Sequence, residues 1–179
     1  RITLSLSILF LSVNVYSQIA IQSFENSGDT WQPLTFSTPP CTVGNDVWNA
    51  VSSIPGISPN DGSQFWGIRD LNGSCGGNGF ETITFPNVSV ITAPNVNFSF
   101  DYYAIGFDNN EDLKYELFFD NISQGEVIVV NGVSGNSDNT NGWRTETVSI
   151  PNSVNNVSVI LSAKCNNGND RAGFDNIRL

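Results

Sequence analysis

The side chains that could do chemistry in this chain are carboxylates and a few cysteines. The 179 residues include 17 acidic and 7 basic side chains, three cysteines and no histidine, for a formal net charge of −10. Without histidine, a Ser/His/Asp or Cys/His arrangement is impossible within the chain. Two carboxylates facing each other across a cleft would suit a glycosidase, but no spacing marks such a pair. The sequence therefore predicts a protein that is not an enzyme.

Two carboxylates near the ends of the chain carry the strongest signal. The stretch 172–179 predicts a final strand in which Asp175, Ile177 and Leu179 alternate onto the core-facing side. A carboxylate facing the core is costly, so Asp175 needs a proton, a basic side chain, backbone amides or a metal ion. Glu25 enters a glycine-containing turn after the first strand. If the first and last strands are neighbours, the two carboxylates meet, and they repel unless a cation or proton intervenes.

Ligand chemistry narrows the choice of cation. Calcium takes hard oxygen ligands, including backbone and Asn carbonyls, whereas zinc and other transition metals prefer His and Cys clusters that this chain lacks. A cation between Glu25 and Asp175 would therefore be calcium. The alternative is that Asp175 caps a turn or pairs with Arg171 or Arg69.

A second acidic run, Asp108-Asn109-Asn110-Glu111-Asp112, has the Asp-x-Asn-x-Asp spacing of the first half of an EF-hand loop. Leu113 stands where that loop requires glycine, and Phe119 stands where its bidentate Glu belongs. Strands are predicted on both sides, so we expect a solvated hairpin loop.

The start of the chain predicts export. Residues 2–15 are mostly apolar and follow Arg1, with Val15 and Ser17 at the −3 and −1 positions of a cleavage site. The run is shorter than the roughly 20 residues of a membrane-spanning helix, which argues against a membrane anchor. We expect residues 1–17 to be a signal peptide and residues 18–179 to form one secreted domain. Because the chain opens on Arg1 and not on Met, we also expect it to be a fragment.

An exported chain with three cysteines can form one disulfide and keep one free thiol. Cys41 and Cys75 both lie in loops rich in Gly, Pro and Asn, whereas Cys165 ends a late strand. We predict a Cys41–Cys75 disulfide, and whether Cys165 stays free is left open.

Short alternating segments separated by turn residues predict antiparallel strands throughout the domain. The clearest are two strands with one apolar and one charged or hydroxyl face, around Leu113–Phe119 and Val157–Cys165. The candidate strands are 19–24, 34–37, 47–52, 64–70, 81–85, 97–105, 113–120, 126–130, 144–150, 157–165 and 173–179.

Several motifs, taken in order, resemble a jelly-roll domain. They are Phe24-Glu25 with Gly28 and Trp31, the stretch 61–67, Trp143 before a strand, and the closing stretch 173–179. The pattern is similar to calcium-containing carbohydrate-binding modules and MAM-type adhesion domains, and most similar to modules in secreted multidomain proteins of Bacteroidetes-type bacteria. It lacks the cysteine pattern of MAM domains. The resemblance implies an all-β, antiparallel two-sheet jelly-roll sandwich. It also implies that Glu25 and Asp175 bind a structural calcium, with backbone carbonyls completing the shell.

Glycan binding requires an exposed aromatic side chain flanked by polar groups. We expect Trp31, Trp66 and Trp143 to lie in the core, which leaves a platform of Trp48, Asp101, Tyr103 and Phe107.

We expect a non-catalytic secreted module for glycans or cell-surface polymers. Other domains of the same polypeptide are expected partners. The alternative is a structural spacer in a larger exported enzyme, such as a nuclease or protease. The negative net charge argues against nucleic acid and anionic membranes as direct ligands.

Overall fold

The structure, a computed structural model, describes residues 18–25, 27–133 and 139–179. The predicted signal peptide, residues 1–17, lies outside the described residues. Within that part of the chain no helix is long and apolar enough to cross a membrane. The described elements are twelve strands: β1 (Ile21–Gln22), β2 (Thr35–Phe36), β3 (Cys41–Val43), β4 (Asp46–Val51), β5 (Phe65–Arg69), β6 (Glu81–Ser89), β7 (Asn97–Ile105), β8 (Asp112–Phe119), β9 (Ile122–Asn131), β10 (Arg144–Ser149), β11 (Asn156–Lys164) and β12 (Arg171–Arg178).

The strands form two antiparallel sheets. Sheet A has the order β10-β7-β12-β5-β4-β3, with β1 also paired to β12, and sheet B has the order β2-β6-β11-β8-β9. This arrangement confirms the predicted all-β two-sheet jelly-roll sandwich. The first and last strands are neighbours as expected, with Ile21 opposite Arg178. Only the short strand β3 was not predicted.

The main core lies between the sheets and follows from the alternation in the sequence. Leu113, Tyr115 and Leu117 of β8 are buried, and so are Val157 and Leu161 of the neighbouring β11. Because successive side chains of a strand point to opposite sides, the intervening polar residues of both strands face outward. The sequence pattern therefore fixes the inner side of sheet B.

A second, smaller apolar cluster lies on the outer side of sheet A. Val47 and Phe65 of the sheet pack with Ile54 and Ile57, which belong to the connection between β4 and β5. We call residues 52–64 the covering segment. Its backbone is tied to the sheet by the Trp143 indole, which donates a hydrogen bond to the carbonyl of Ser58 at 2.9 Å. The covering segment therefore covers the central part of this face, whereas the outward residues Thr145, Thr147 and Ser149 of the edge strand β10 are exposed.

A β-bulge in β12 reverses the predicted orientation of Asp175. Asp175 pairs with Asp101 and Arg178 pairs with Ser99, so β12 has one more residue than β7 in this interval. The extra residue is accommodated by Asn176, whose φ of 51° is left-handed. Phe174 and Ile177 both enter the main core, whereas Asp175 lies on the outer side of sheet A with Asp101. The prediction that Asp175 shares a face with Ile177 and Leu179 is wrong, because regular alternation does not continue through a bulge.

The cysteines are arranged as predicted. Cys41 of β3 and Cys75 of the β5–β6 connection form a disulfide across 34 positions of sequence. Cys165 is a free and buried thiol. Its pKa is raised to about 12, mainly by burial, so it is an inert thiol at neutral pH.

Candidate binding and metal sites

The Glu25 carboxylate binds the C-terminal end of the covering segment. Its Oε1 accepts hydrogen bonds from the backbone N–H groups of Ser63, at 2.6 Å, and Gln64, at 2.7 Å, while Oε2 accepts from the Ser63 hydroxyl at 2.7 Å. These bonds, the Ser63 hydroxyl first, lower the pKa of Glu25. Gly62 makes the close approach possible, because its φ is 64° and a Cβ there would collide with the Glu25 carboxylate. Glu25 is therefore a clasp for this segment.

The Asp175 carboxylate, on the outer side of sheet A, also accepts hydrogen bonds from the covering segment. Its Oδ2 accepts from the backbone N–H groups of Asn60, at 3.0 Å, and Asp61, at 3.3 Å, and its Oδ1 accepts from Asn176 N at 2.8 Å. The side chain is 0% exposed. Burial raises the pKa of Asp175 to about 7 in spite of the three N–H donors, and the neighbouring Asp101 adds to the rise.

Asp101 is a second buried carboxylate beside Asp175. Its Oδ2 accepts from the side-chain amides of Asn60, at 2.7 Å, and Asn176, at 2.9 Å. Its Oδ1 accepts from the Thr145 hydroxyl at 2.5 Å. Thus the two carboxylates share the partners Asn60 and Asn176 and lie side by side under the covering segment.

These contacts bear on the alternatives for Asp175. It caps the turn at residues 60–61, as one alternative has it. The proposed pairing with a basic residue is wrong, because Arg69 donates to the carbonyl of Gly168 at 2.8 Å and Arg171 to that of Pro55 at 2.7 Å. Among the described residues, no three Cys, Asp or Glu side chains are grouped as they would be to hold a metal ion. Any cation here would need backbone or amide oxygens in addition to carboxylates.

The predicted aromatic platform is not an exposed surface. Trp48 is 0% exposed and stands edge-on to Trp66 in the main core, and Phe107 is 1% exposed there too. Asp101 lies beneath the covering segment, and Tyr103 packs edge-on against the half-buried Trp143. That platform is wrong for two reasons: Trp48 and Phe107 face the main core, and Asp101 and Tyr103, although outward on sheet A, are covered by other parts of the chain. Trp31 and Trp66 are core residues, as expected.

The outer side of sheet B is different, because its outward side chains are exposed or half-buried with one exception, Ser162. Directly paired residues of neighbouring antiparallel strands share a side, so the pairings define this surface row by row. We call it the open face. Its members are Thr35, Thr82, Thr84, Lys114, Glu116, Phe118, Ser123, Glu126, Ile128, Ser158, Ile160 and Ser162.

The open face combines hydroxyls with charged and apolar groups. Glu116 lies directly opposite Glu126, an arrangement of like charges that is unfavourable by itself. Lys114 compensates by pairing with Glu126 at 2.6 Å, and its ammonium lies 3.8 Å from the centre of the Phe80 ring. The Ser123 hydroxyl donates to Glu116. The polar sides of two predicted strands already indicated this surface, but nothing in the sequence showed that sheet B is the uncovered one.

The acidic run after β7 is only partly the predicted solvated loop. Asp108, Asn109 and Asn110 are exposed, but Glu111 is buried and lies beside Asp170, since the two side chains accept hydrogen bonds from the successive amides of residues 166 and 167. No sequence pattern marked this contact, because the two residues belong to turns far apart in the chain.

No protein-family model and no curated protein matches the chain. Among solved structures, the K2 cleaved adhesin domain of Lys-gingipain superposes with a TM-score of 0.51 and 16% identity, over 88% of this chain and 95% of that domain. The K3 cleaved adhesin domain of Lys-gingipain from Porphyromonas gingivalis gives 0.46 and 16%, over 90% and 98%. A family 16 carbohydrate-binding module gives 0.48 and 11%, over 90% and 97%. The match to the K2 domain shows that the two chains share the jelly-roll sandwich, and the resemblance is confirmed at the level of the fold.

Proposed function

We propose that this chain is a non-catalytic extracellular module that binds a glycan or a similar hydroxyl-rich cell-surface polymer on the open face of sheet B. One observation carries the proposal: the covering segment buries the apolar centre of the outer side of sheet A, whereas the outer side of sheet B is exposed or half-buried across its width and lined with hydroxyls. The predicted signal peptide and the disulfide support an extracellular location.

The chemistry of the open face suits a sugar polymer. Ser and Thr hydroxyls both donate and accept hydrogen bonds, and the Glu116 carboxylate accepts them, so the face matches a ligand rich in hydroxyl groups. Phe118 is half-buried between Ser158 and Ser123 of the neighbouring strands, where its ring can contact the apolar side of a sugar. The net charge of −10 disfavours polyanionic glycans.

The direct test is binding of residues 18–179 to a glycan array and to insoluble polysaccharides, followed by titration calorimetry with any ligand found. We expect Phe118→Ala to weaken binding by about tenfold or more, because aromatic anchors dominate such surfaces. Tyr103→Ala serves as the matched control, since Tyr103 lies on the outer side of sheet A. Circular dichroism establishes that both variants are folded.

The opposite outcome is equally clear. A folded domain that binds no polysaccharide, or a Phe118→Ala variant that binds as tightly as the parent, contradicts the proposal. Complete absence of binding would favour a structural spacer in a larger exported enzyme.

We also propose that a structural calcium ion strengthens the clasp at the covering segment. The donor chemistry fits a hard cation, because Glu25, Asp175 and Asp101 each accept hydrogen bonds from residues of one short segment and offer only oxygen donors. A carboxylate has about four acceptor sites, and Asp175 and Asp101 each use three of them for hydrogen bonds. The positive charge of calcium would stabilise the adjacent buried carboxylates of Asp175 and Asp101. Its ligands would be Glu25 and Asp175, with backbone carbonyls completing the shell.

Thermal unfolding with EGTA and with added calcium tests this proposal. At a calcium concentration about 100 times Kd, we expect Tm to rise by about 5 to 10 °C. The rise in Tm should be lost in Asp175→Asn and kept in Asp120→Asn. Asp120 is a suitable control because its carboxylate caps a different turn, at Asn155 and Asn156. A Tm that calcium does not change in the parent chain would rule the metal out.

A further inference from the structure

Glu111 and Asp170 form another pair of buried carboxyl groups, where the β7–β8 turn meets the β11–β12 loop. Glu111 is 0% exposed and Asp170 is 1% exposed. Glu111 accepts a hydrogen bond from Asn166 N and Asp170 accepts one from the next amide, Asn167 N, so the two carboxyl groups lie beside each other. Two adjacent buried carboxylates repel each other when both are ionised, so this arrangement favours a proton on one member of the pair.

The pair fastens segments that are distant in sequence. Glu111 accepts hydrogen bonds from Asp108 N at 2.8 Å in its own turn and from Asn166 N at 2.9 Å in the β11–β12 loop. Asp170 accepts from Asn167 N at 2.9 Å in that same loop. The Glu111 carbonyl also accepts from Gly132 N at 2.8 Å, just after β9. Three connections of the sandwich therefore meet at this pair.

The groups that face the pair supply no positive charge. Asp108 from the β7–β8 turn and Cys165 from the end of β11 interact with it, and Asp112 lies near Gly132. Arg69 and Arg171 donate to the carbonyls of Gly168 and Asn169. Lys164, the last residue of β11, is paired across the strands with Asp112 and faces outward from sheet B. No ion pair among the described residues involves either carboxyl group.

Burial is the main reason that the pKa of both carboxyl groups is raised, to about 7 for Glu111. The sign of the linkage follows. A carboxyl group whose pKa is higher in the closed state stabilises that state when it is protonated, and this stabilisation is lost as the pH rises through the raised pKa.

We propose that Glu111 and Asp170 form a proton-dependent latch, in which a shared proton holds the β7–β8 turn against the β11–β12 loop and its loss above neutral pH opens this end of the sandwich. Once both groups are ionised, no proton is left for them to share, and two adjacent carboxylates repel each other without a counter-ion.

Cys165 provides a local reporter of opening. It directly precedes the β11–β12 loop, is 1% exposed, and is the one free cysteine of the described residues. Opening of the latch exposes its thiol, whereas the closed latch protects it. The rate of alkylation therefore reports this end of the molecule and not the distant Asp175.

The experiment measures iodoacetamide labelling of Cys165 in the intact chain, divided by the rate in denaturant at the same pH to remove intrinsic thiol ionisation. We expect protection to fall about tenfold between about pH 6 and about pH 8.5. In Asp170→Asn the second charge is absent and the amide can donate to Glu111, so protection should change less than about twofold over that range. Asp120→Asn, a carboxylate change at a different turn, should keep the parent's response.

Two results would overturn the latch: constant protection in the parent chain, or an equal fall in Asp170→Asn. If Asp170→Asn does not fold, hydrogen exchange of the Asn166 and Asn167 amides in the parent gives the same decision, because these amides donate to the pair. Repeating the measurement with calcium separates the latch from a cation site. A pH response that calcium abolishes would assign the pair to metal binding instead.

Discussion

The outer sides of the two sheets differ in how far their side chains are buried. Sheet A presents apolar groups outward, among them Val47 and Phe65, and the covering segment buries them with Ile54 and Ile57. Sheet B presents Ser, Thr, Lys and Glu outward, and these side chains are exposed or half-buried apart from Ser162. An antiparallel sheet can leave one face in water only if that face is polar enough, so the outward residues decide which sheet needs a cover.

Two features of the chain allow the covering segment to pack on sheet A: a glycine that leaves space and carboxylates that bind backbone amides. Gly173 in the centre of β12 leaves room for the Phe65 ring, because a Cβ there would lie 2.6 Å from a ring atom. Glu25 and Asp175 then fix the end of the segment by accepting backbone N–H groups that would otherwise lack partners. The carboxylates near the chain ends thus stabilise the covered side, and the binding that we propose lies on the other side.

The largest expected effect concerns the apolar contact beneath the cover. Phe65→Ala should destabilise the domain by about 3–5 kcal/mol, because Phe65 is fully buried between sheet and cover. The matched change Phe118→Ala, on the open face, should destabilise it by at most about 1 kcal/mol. Urea unfolding of both variants gives the two free energies. Equal losses would mean that the two faces are not different in the way described.

A medium effect is expected for the close approach at Gly62. Gly62→Ala should destabilise the domain by about 1–3 kcal/mol, since it combines a strained left-handed φ with a collision against the Glu25 carboxylate. Gly44→Ala is the matched control, because Gly44 has nearly the same φ, 63°, and open space around its Cβ. The difference between the two variants in urea unfolding measures the collision alone. A Gly62→Ala variant no less stable than Gly44→Ala would show that the clasp is looser than its geometry indicates.

A smaller effect is expected for the Glu25 charge itself. Because its pKa is lowered in the folded state, Glu25 stabilises the fold above the unfolded pKa, and this contribution is lost as the pH falls through the folded value. Glu25→Gln should therefore flatten the acid side of the stability profile, with a loss near neutral pH of at most about 1 kcal/mol because the group is partly exposed. Unfolding measured from neutral to acidic pH tests this, with Glu126→Gln on the open face as control. If the stability of Glu25→Gln falls with acidic pH as steeply as that of the parent, the charge of Glu25 does not contribute to holding the covering segment.

The smallest effect belongs to a hydroxyl on the open face. Thr84→Ala should change stability by less than about 0.5 kcal/mol, since Thr84 lies on the outward side and is half-buried. Differential scanning calorimetry is sensitive enough to decide. A large loss of stability in Thr84→Ala would show that the open face contributes to the stability of the fold. That result would weaken the assignment of the open face as a binding surface.

The sequence by itself determined the strands, the orientation of regular strands and the disulfide. Alternation is a local property, so residues such as Leu113 and Leu161 could be assigned to the core without knowledge of distant contacts. Two loop cysteines in a chain predicted to be exported likewise left few choices, and Cys41 is bonded to Cys75.

Tertiary structure decided what local pattern could not contain. One extra residue in β12 turned Asp175 away from the core, and the covering segment buried the central part of the outward side of sheet A, including Asp101. The contact of Glu111 with Asp170 likewise joins turns from opposite ends of a long stretch of chain. A bulge, a cover and a contact between turns all depend on partners remote in sequence, whereas periodicity reports only the neighbours along one strand.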